Sequence, residues 1–147
     1  MFAKYSFDVV RGEDRQVPMV FCYRDEVTGR KATVDLTGLD FLLSVRDEAS
    51  GKEIARLSTA DRTILLGNLE DRQFTEASEG EVVKALMLCF PHDMTEGFPC
   101  GRARFDLFAV SPSETGDVRQ CVMVGDLRIF EGGCYGWCRG DEARPAG

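Results

Sequence analysis

Six cysteines and one histidine are the residues of this 147-residue chain best suited to chemistry. Cys22, Cys89, Cys100, Cys121, Cys134 and Cys138 are open to three uses: oxidation to disulfides, metal ligation, or burial as small apolar side chains. His92 is the sole imidazole, so a triad, a His-paired thiol nucleophile or a multi-histidine metal site must converge on it. No Asp or Ser spacing around His92 suggests a triad, and its neighbours Pro91 and Asp93 suit a loop cap. In Cys134-Tyr-Gly-Trp-Cys138 three residues separate the cysteines, wider than the usual redox spacing, and no helix pattern follows. Zinc there needs two further ligands, such as Cys100 and His92. A covalent or buried-thiol role suits these residues better. Gly132-Gly133 is not a phosphate loop, because no Lys-Ser or Lys-Thr follows it. The carboxylate pairs Asp25-Glu26 and Asp47-Glu48 fall at turns, where they are solvated. The sequence therefore predicts no catalytic residue, no metal site and no cofactor.

Composition narrows the partners. A formal charge of −7 opposes binding to nucleic acid, which needs lysines and arginines against phosphates, and opposes anionic membranes for the same reason. The first residues, Met1-Phe2-Ala3-Lys4-Tyr5, contain no apolar core of signal-peptide length, and no 18 apolar residues run together. Synthesis and folding in a cytoplasm are expected.

The elements that must carry these residues read as strands. Val17 to Tyr23 is rich in β-formers, Thr28-Gly29 supplies turn chemistry, and Ala32 to Leu36 returns. Phe41, Leu43 and Val45 alternate with Leu42, Ser44 and Arg46, the pattern of a half-buried strand. Glu53 to Leu57 and Thr63 to Leu66 follow, and Glu70 to Gly80 is polar enough for a loop. Val82 to Phe90 is apolar except for Lys84, which predicts a strand buried on both faces. His92 to Gly97 has room for one helical turn. Arg104 to Val110 and Gln120 to Phe130 close the set, the latter placing Cys121, Met123, Leu127 and Ile129 on one face. About eight short strands without an amphipathic helix predict an all-β fold, an antiparallel β-sandwich over residues 1–131. Residues 132–147 then form a short cysteine-containing C-terminal tail.

The order of the pieces adds a resemblance. Phe7–Val10, Gly12–Asp14, Met19–Tyr23, Asp35–Gly38, Phe41–Arg46, Arg104–Val110 and Gln120–Phe130 with Gly125 run in sequence over residues 5 to 131. This series resembles phage virion β-sandwiches, the N-terminal domain of baseplate upper proteins and related tail and neck modules. The resemblance implies a virion structural protein of the tail, neck or baseplate, made in the host cytoplasm. Such a protein would act as an assembly adaptor for other virion proteins, in a symmetric homo-oligomeric ring or in multiple copies. A capsid decoration protein and a ligand-binding β-sandwich outside any virion are the alternatives.

A virion assembles in a reducing cell and is released into an oxidising exterior, so disulfides can form late. Cys22, Cys89 and Cys121 fall in predicted strands and are expected to be buried or intrachain thiols. Cys100, Cys134 and Cys138 fall in loop or tail and are candidates for intersubunit disulfides, although the tail can equally lock onto its own sandwich. Phe2, Tyr5, Met19 and Trp137 are candidate interface anchors, each readable as core as well. Asp14, Asp35, Thr37 and Gly38 are expected to shape corners, with Asp and Thr side chains bonding nearby amides and Gly38 adopting a positive φ.

Overall fold

Period-two alternation builds most of this molecule, because each strand has one face to bury and one to leave outside. The computed structural model describes residues 3–70, 73–112 and 114–132. In chain order the elements are β1 (Ala3–Val10), β2 (Arg15–Val20), β3 (Cys22–Arg24), β4 (Lys31–Thr33), β5 (Asp40–Asp47) and β6 (Glu53–Ser58). There follow β7 (Ile64–Glu70), β8 (Gln73–Thr75), β9 (Ala85–Phe90), α1 (His92–Thr95), β10 (Gly101–Ser111) and β11 (Val118–Phe130). One sheet has the order β1-β11-β10-β5-β6, the second has β2-β9-β7-β8, and β3-β4 forms a separate ribbon. The molecule is an all-β sandwich, as its sequence predicts.

Three local differences from that prediction have physical causes. The stretch from Val17 to Tyr23 breaks at Phe21, where the chain leaves the four-stranded sheet for the ribbon and Phe21 packs on the core edge. The polar segment after Glu70 contributes the short β8, which pairs Leu69 with Phe74. Every pairing among the described residues is antiparallel except β1 with β11, which run parallel from Ala3 opposite Met123 to Val10 opposite Phe130. The first and last strands thus lie side by side.

Inward-facing rows of the two sheets meet in one core. Phe7 and Val9 of β1, Ala103, Phe105 and Leu107 of β10, and Leu127 and Ile129 of β11 come from one side. Val17 and Met19 of β2 and Leu86, Leu88 and Phe90 of β9 come from the other. Aromatic rings join the layers: Phe7 lies 5.7 Å from Phe90 and 5.6 Å from Phe105, centroid to centroid, and Phe90 lies 6.4 Å from Phe98. Each such pair adds to the area it buries, by roughly 0.5–1.5 kcal/mol. Gly125 leaves no room for a side chain between β1 and β10, since a Cβ there would run into Tyr5 O and lie 2.5 Å from the Phe105 ring. No helix of the described residues is long and apolar enough to cross a membrane.

Candidate functional site

The two outer faces of the sandwich differ sharply in chemistry. On the five-stranded sheet the outward positions mix charged residues with half-buried apolar ones, Val10, Leu42, Phe108, Val124 and Phe130 among them. Register places Asp8 beside Arg128, Arg128 opposite Arg102, Asp126 opposite Arg104 and Arg104 opposite Arg46. Arg128 pairs with Asp8 at 3.1 Å, Arg104 with Asp126 at 3.8 Å and Arg56 with Glu53 at 3.1 Å. Ser44 is buried beside this face and donates to Glu53 Oε2 at 2.6 Å. That bond first, and then Arg56, hold the Glu53 carboxyl below its ordinary value.

The outer face of the four-stranded sheet carries no charge on its three longer strands. Inward Val17 and Met19 face Leu88 and Leu86, so alternation turns Gln16, Pro18 and Val20 outward beside Cys89, Met87 and Ala85. On the other side of β9, Leu65 lies opposite Met87 and Gly67 opposite Ala85, with Leu69 further along β7. Val20 and Leu69 remain 41% exposed, and Val82 close by is 47% exposed. Val20, Leu69, Val82 and Ala85 border a shallow depression of about 460 Å³ together with Thr33, Asn68 and the charged Glu70, Glu81 and Lys84. The apolar run from Val82 to Phe90 holds the strand Ala85–Phe90, buried on both faces as predicted except at the half-buried Cys89, while Val82 and Lys84 ahead of it are exposed.

Two corners position the loops. The Gly12-Glu13-Asp14 turn is clasped by α1: the buried Thr95 Oγ1 accepts from Gly12 N–H at 3.0 Å and donates to Glu13 O at 2.9 Å. Asp14 Oδ1 accepts from His92 N–H at 2.6 Å and lies 3.0 Å from His92 Nδ1. The backbone bond from His92, and then its ring, hold the Asp14 carboxyl below its usual value. Sequence reading placed His92 at a cap without finding its partner, because Asp14 is 78 residues away. At the other corner Asp35 Oδ1 accepts from Thr37 Oγ1 at 2.6 Å and from Thr37 N–H at 2.9 Å, which lowers the Asp35 pKa in that order. Thr37 Oγ1 also accepts from Val83 N–H at 3.0 Å, and Gly38 has φ of 80°.

The cysteines are distributed differently from expectation. Cys22, expected to be buried, is exposed, because the inward place at the strand break goes to Phe21. Cys89 is half-buried on the outer face of β9, where burial pushes its thiol pKa up. Cys121 is half-buried as well; the register shift between Leu107 and Phe108 leaves Val122 as an extra residue and takes Cys121 out of the Met123–Leu127–Ile129 row. Cys100 is exposed and donates to Glu131 Oε2 at 3.1 Å. Arg11 binds the same carboxylate at 3.0 Å and Glu96 O at 2.9 Å. Hydrogen bonding from Cys100, then the Arg11 charge, lower the Glu131 pKa. These four cysteines are free thiols.

Met19, a candidate interface anchor, is core: it is 6% exposed because alternation points it at Leu86. Tyr5 is 43% exposed. Phe2, Trp137, Cys134 and Cys138 lie outside the described residues, as does all but Gly132 of the predicted tail. Among the described residues no group of three or more His, Cys, Asp or Glu side chains is placed to hold a metal ion. An apolar cleft of about 250 Å³ lies between Phe21, Cys22, Leu39, Phe41, Ala109 and Val122. That is below the roughly 300–1,000 Å³ of ordinary small-molecule sites; open depressions of about 480 and 360 Å³ lie against the five-stranded sheet, one lined by Asp8, Arg15, Arg102, Asp126 and Arg128 and the other by Arg46, Asp47, Glu48, Arg104 and Asp106.

No family model and no curated protein matches the chain. Among solved structures it is similar to AggA, the major subunit of aggregative adherence fimbriae type I from Escherichia coli. The TM-score is 0.34 and the identity 9%, over 86% of this chain and 89% of that one. A likeness at that level bears on neither the site nor its partners.

Proposed function

We propose that the chain is a structural assembly module of a phage virion, in the tail, neck or baseplate, and that it docks on neighbouring protein subunits through the outer face of its four-stranded sheet. The observation that carries this reading is the exposed Pro18, Val20 and Leu69 with the half-buried Leu65 on the outer side of the four-stranded sheet, in a chain of net charge −7. The order of strands and corners over residues 5 to 131, with its resemblance to virion sandwiches, supports the placement. The module binds without catalysing and needs no cofactor.

Magnitudes favour many weak contacts over one tight one. Full burial of a Val or Leu side chain is worth about 1.5–3 kcal/mol. Covering the exposed part of Val20 and of Leu69 therefore contributes about 1 kcal/mol each. Association costs several kcal/mol in lost freedom. A single contact of this size is weak, and a closed ring of copies multiplies it. A virion ring of identical subunits is the setting in which such a face suffices.

The test is quantitative immunoblotting of virions purified from the phage that encodes the chain. The proposal expects the chain in the particle at about six or twelve copies, as cyclic tail and neck symmetry requires. Hundreds of copies would move it to the capsid surface, and absence from the particle would overturn the virion reading.

A further inference from the structure

One depression on the five-stranded sheet is richer in cations than in carboxylates, against the balance of the whole chain. Arg15, Arg102 and Arg128 line it against Asp8 and Asp126, in a chain of net charge −7. Asp126 is shared with Arg104, which lies 3.8 Å from it and outside that lining. The neighbouring depression has Arg46 and Arg104 against Asp47, Glu48 and Asp106, and the one beside Val20 has Lys84 against Glu70 and Glu81. Of these three, only the first carries an excess of positive charge.

The three guanidiniums are held in different ways. Arg102 and Arg128 stand directly opposite each other on β10 and β11. Side chains so placed have Cβ atoms about 4.5–5.5 Å apart, and like charges in such a pair repel. Arg104 and Arg46 are also opposite, but each has a carboxylate as its other neighbour in register, Asp126 and Glu53. Arg128 bonds Asp8 Oδ1 through Nε at 3.1 Å and lies over the Phe130 ring. Arg102 is exposed and its guanidinium makes no ion pair among the described residues. Arg15 is half-buried at the outer edge of β1, where its Nε donates to Asp8 O at 2.9 Å and its Nη1 to Gln16 O at 2.8 Å. It also lies over the Phe7 ring, 5.7 Å from the centroid. Carbonyls and a ring fix Arg15 without neutralising it. Arg15 and Arg128 are thus positioned before any ligand arrives, which lowers the ordering cost of binding.

We propose that this depression binds a small phosphate monoester, with the phosphate between Arg102 and Arg128 and the organic group towards Tyr5. A phosphate dianion offsets the repulsion between two adjacent guanidiniums, and its three terminal oxygens accept from both. A carboxylate carries one charge and two oxygens, which a single guanidinium already fills. The depression measures about 480 Å³, inside the roughly 300–1,000 Å³ of small-molecule sites, and leaves room for a sugar-sized group beyond the phosphate. Tyr5, exposed on the lining, offers that group an aromatic surface. A long polyanion is disfavoured, since it would run on over Asp47, Glu48 and Asp106 of the neighbouring depression. The site lies on the sheet opposite the proposed docking face, and it stands whether or not the chain is a virion protein.

Titration of the isotope-labelled full-length chain with glucose 6-phosphate, at constant ionic strength and about pH 7 where the ester is mostly a dianion, tests the proposal by NMR. Saturable shifts should be confined to the amides of Ser6, Asp8, Arg102, Asp126 and Arg128 and to the Arg15 Nε–H. The amides of Arg62 and Glu76, which pair with each other elsewhere, should not move. The ester should raise the melting temperature of the parent chain. Arg102→Gln should keep or raise the unliganded melting temperature, because it removes a like-charge pair, and should weaken the ester by about tenfold or more. Inorganic phosphate and glucuronate, a monocarboxylate of similar size, should each bind more weakly than the ester. Shifts that do not saturate or that spread over the whole chain would overturn the proposal. So would undiminished binding by Arg102→Gln, or binding of glucuronate or inorganic phosphate as tight as that of the ester.

Discussion

Single residues set the closest tolerances in this molecule. Gly125 is the sharpest case, because β1 and the Phe105 ring occupy the space that any side chain there would need. Replacing it with Ala should force β1 away from β11 and destabilise the fold by about 3 kcal/mol, at the upper end of overpacking costs. Urea unfolding of Gly125→Ala against the parent chain measures this, and an unchanged midpoint would mean that the parallel β1–β11 contact is not close in solution. Thr95 works by chemistry as well as by size. Fully buried, it bonds the Gly12 and Glu13 backbone groups and so joins α1 to the first turn. Neither contact is visible from Thr95 or Gly12 alone, since they are 83 residues apart.

Strands were the part of the fold best written in the sequence. Phe41, Leu43 and Val45 declared their face by strict alternation, and they are all buried. Gly38 and the Asp35–Thr37 pair declared a corner by residue type, and the Oδ1 bonds and the positive φ are there. What failed was inference across a break in period. The Val122 bulge shifts the phase by one position, so Cys121 leaves the core row, whereas Cys22 turns outward because Val17, Met19 and Phe21 keep the inward places. The outer face of the four-stranded sheet was half legible: the run from Val82 to Phe90 announced a strand buried on both faces, which Ala85–Phe90 is except at Cys89, but only the pairing places the exposed Pro18 and the half-buried Leu65 beside Met87. On β5, Ser44 is the buried polar residue that alternation alone assigns to solvent, and Glu53 is its partner. Because Glu53 has a lowered pKa in the folded state, its contribution is present above the ordinary value of 4.5 and is lost as pH falls through the lowered folded value. Unfolding midpoints measured from about pH 6 down to pH 3 should therefore decline, and Ser44→Ala should decline less steeply than the parent because its Glu53 has lost the largest cause of the shift. Parallel curves for the two proteins would count against that bond in solution.

On opposite sides of a single core the molecule presents one face of mixed charged and apolar residues and one whose three longer strands turn no charged side chain outward. The five-stranded face, with its alternating arginines and carboxylates, is fitted to water. The four-stranded face is not, and its residual exposure at Val20 and Leu69 is what a neighbouring subunit would cover. Exposed apolar surface that forms a contiguous row, and not scattered singles, marks interaction sites. The most direct measurement is incorporation of variants into virions in cells infected with phage lacking the native gene. Val20→Lys combined with Leu69→Lys places charge on the uncharged face at positions already 41% exposed, so the purified variant should keep its melting temperature. It should be depleted from particles at least tenfold, while Arg46→Glu on the opposite face incorporates normally. Equal incorporation of both variants would contradict docking through the four-stranded sheet.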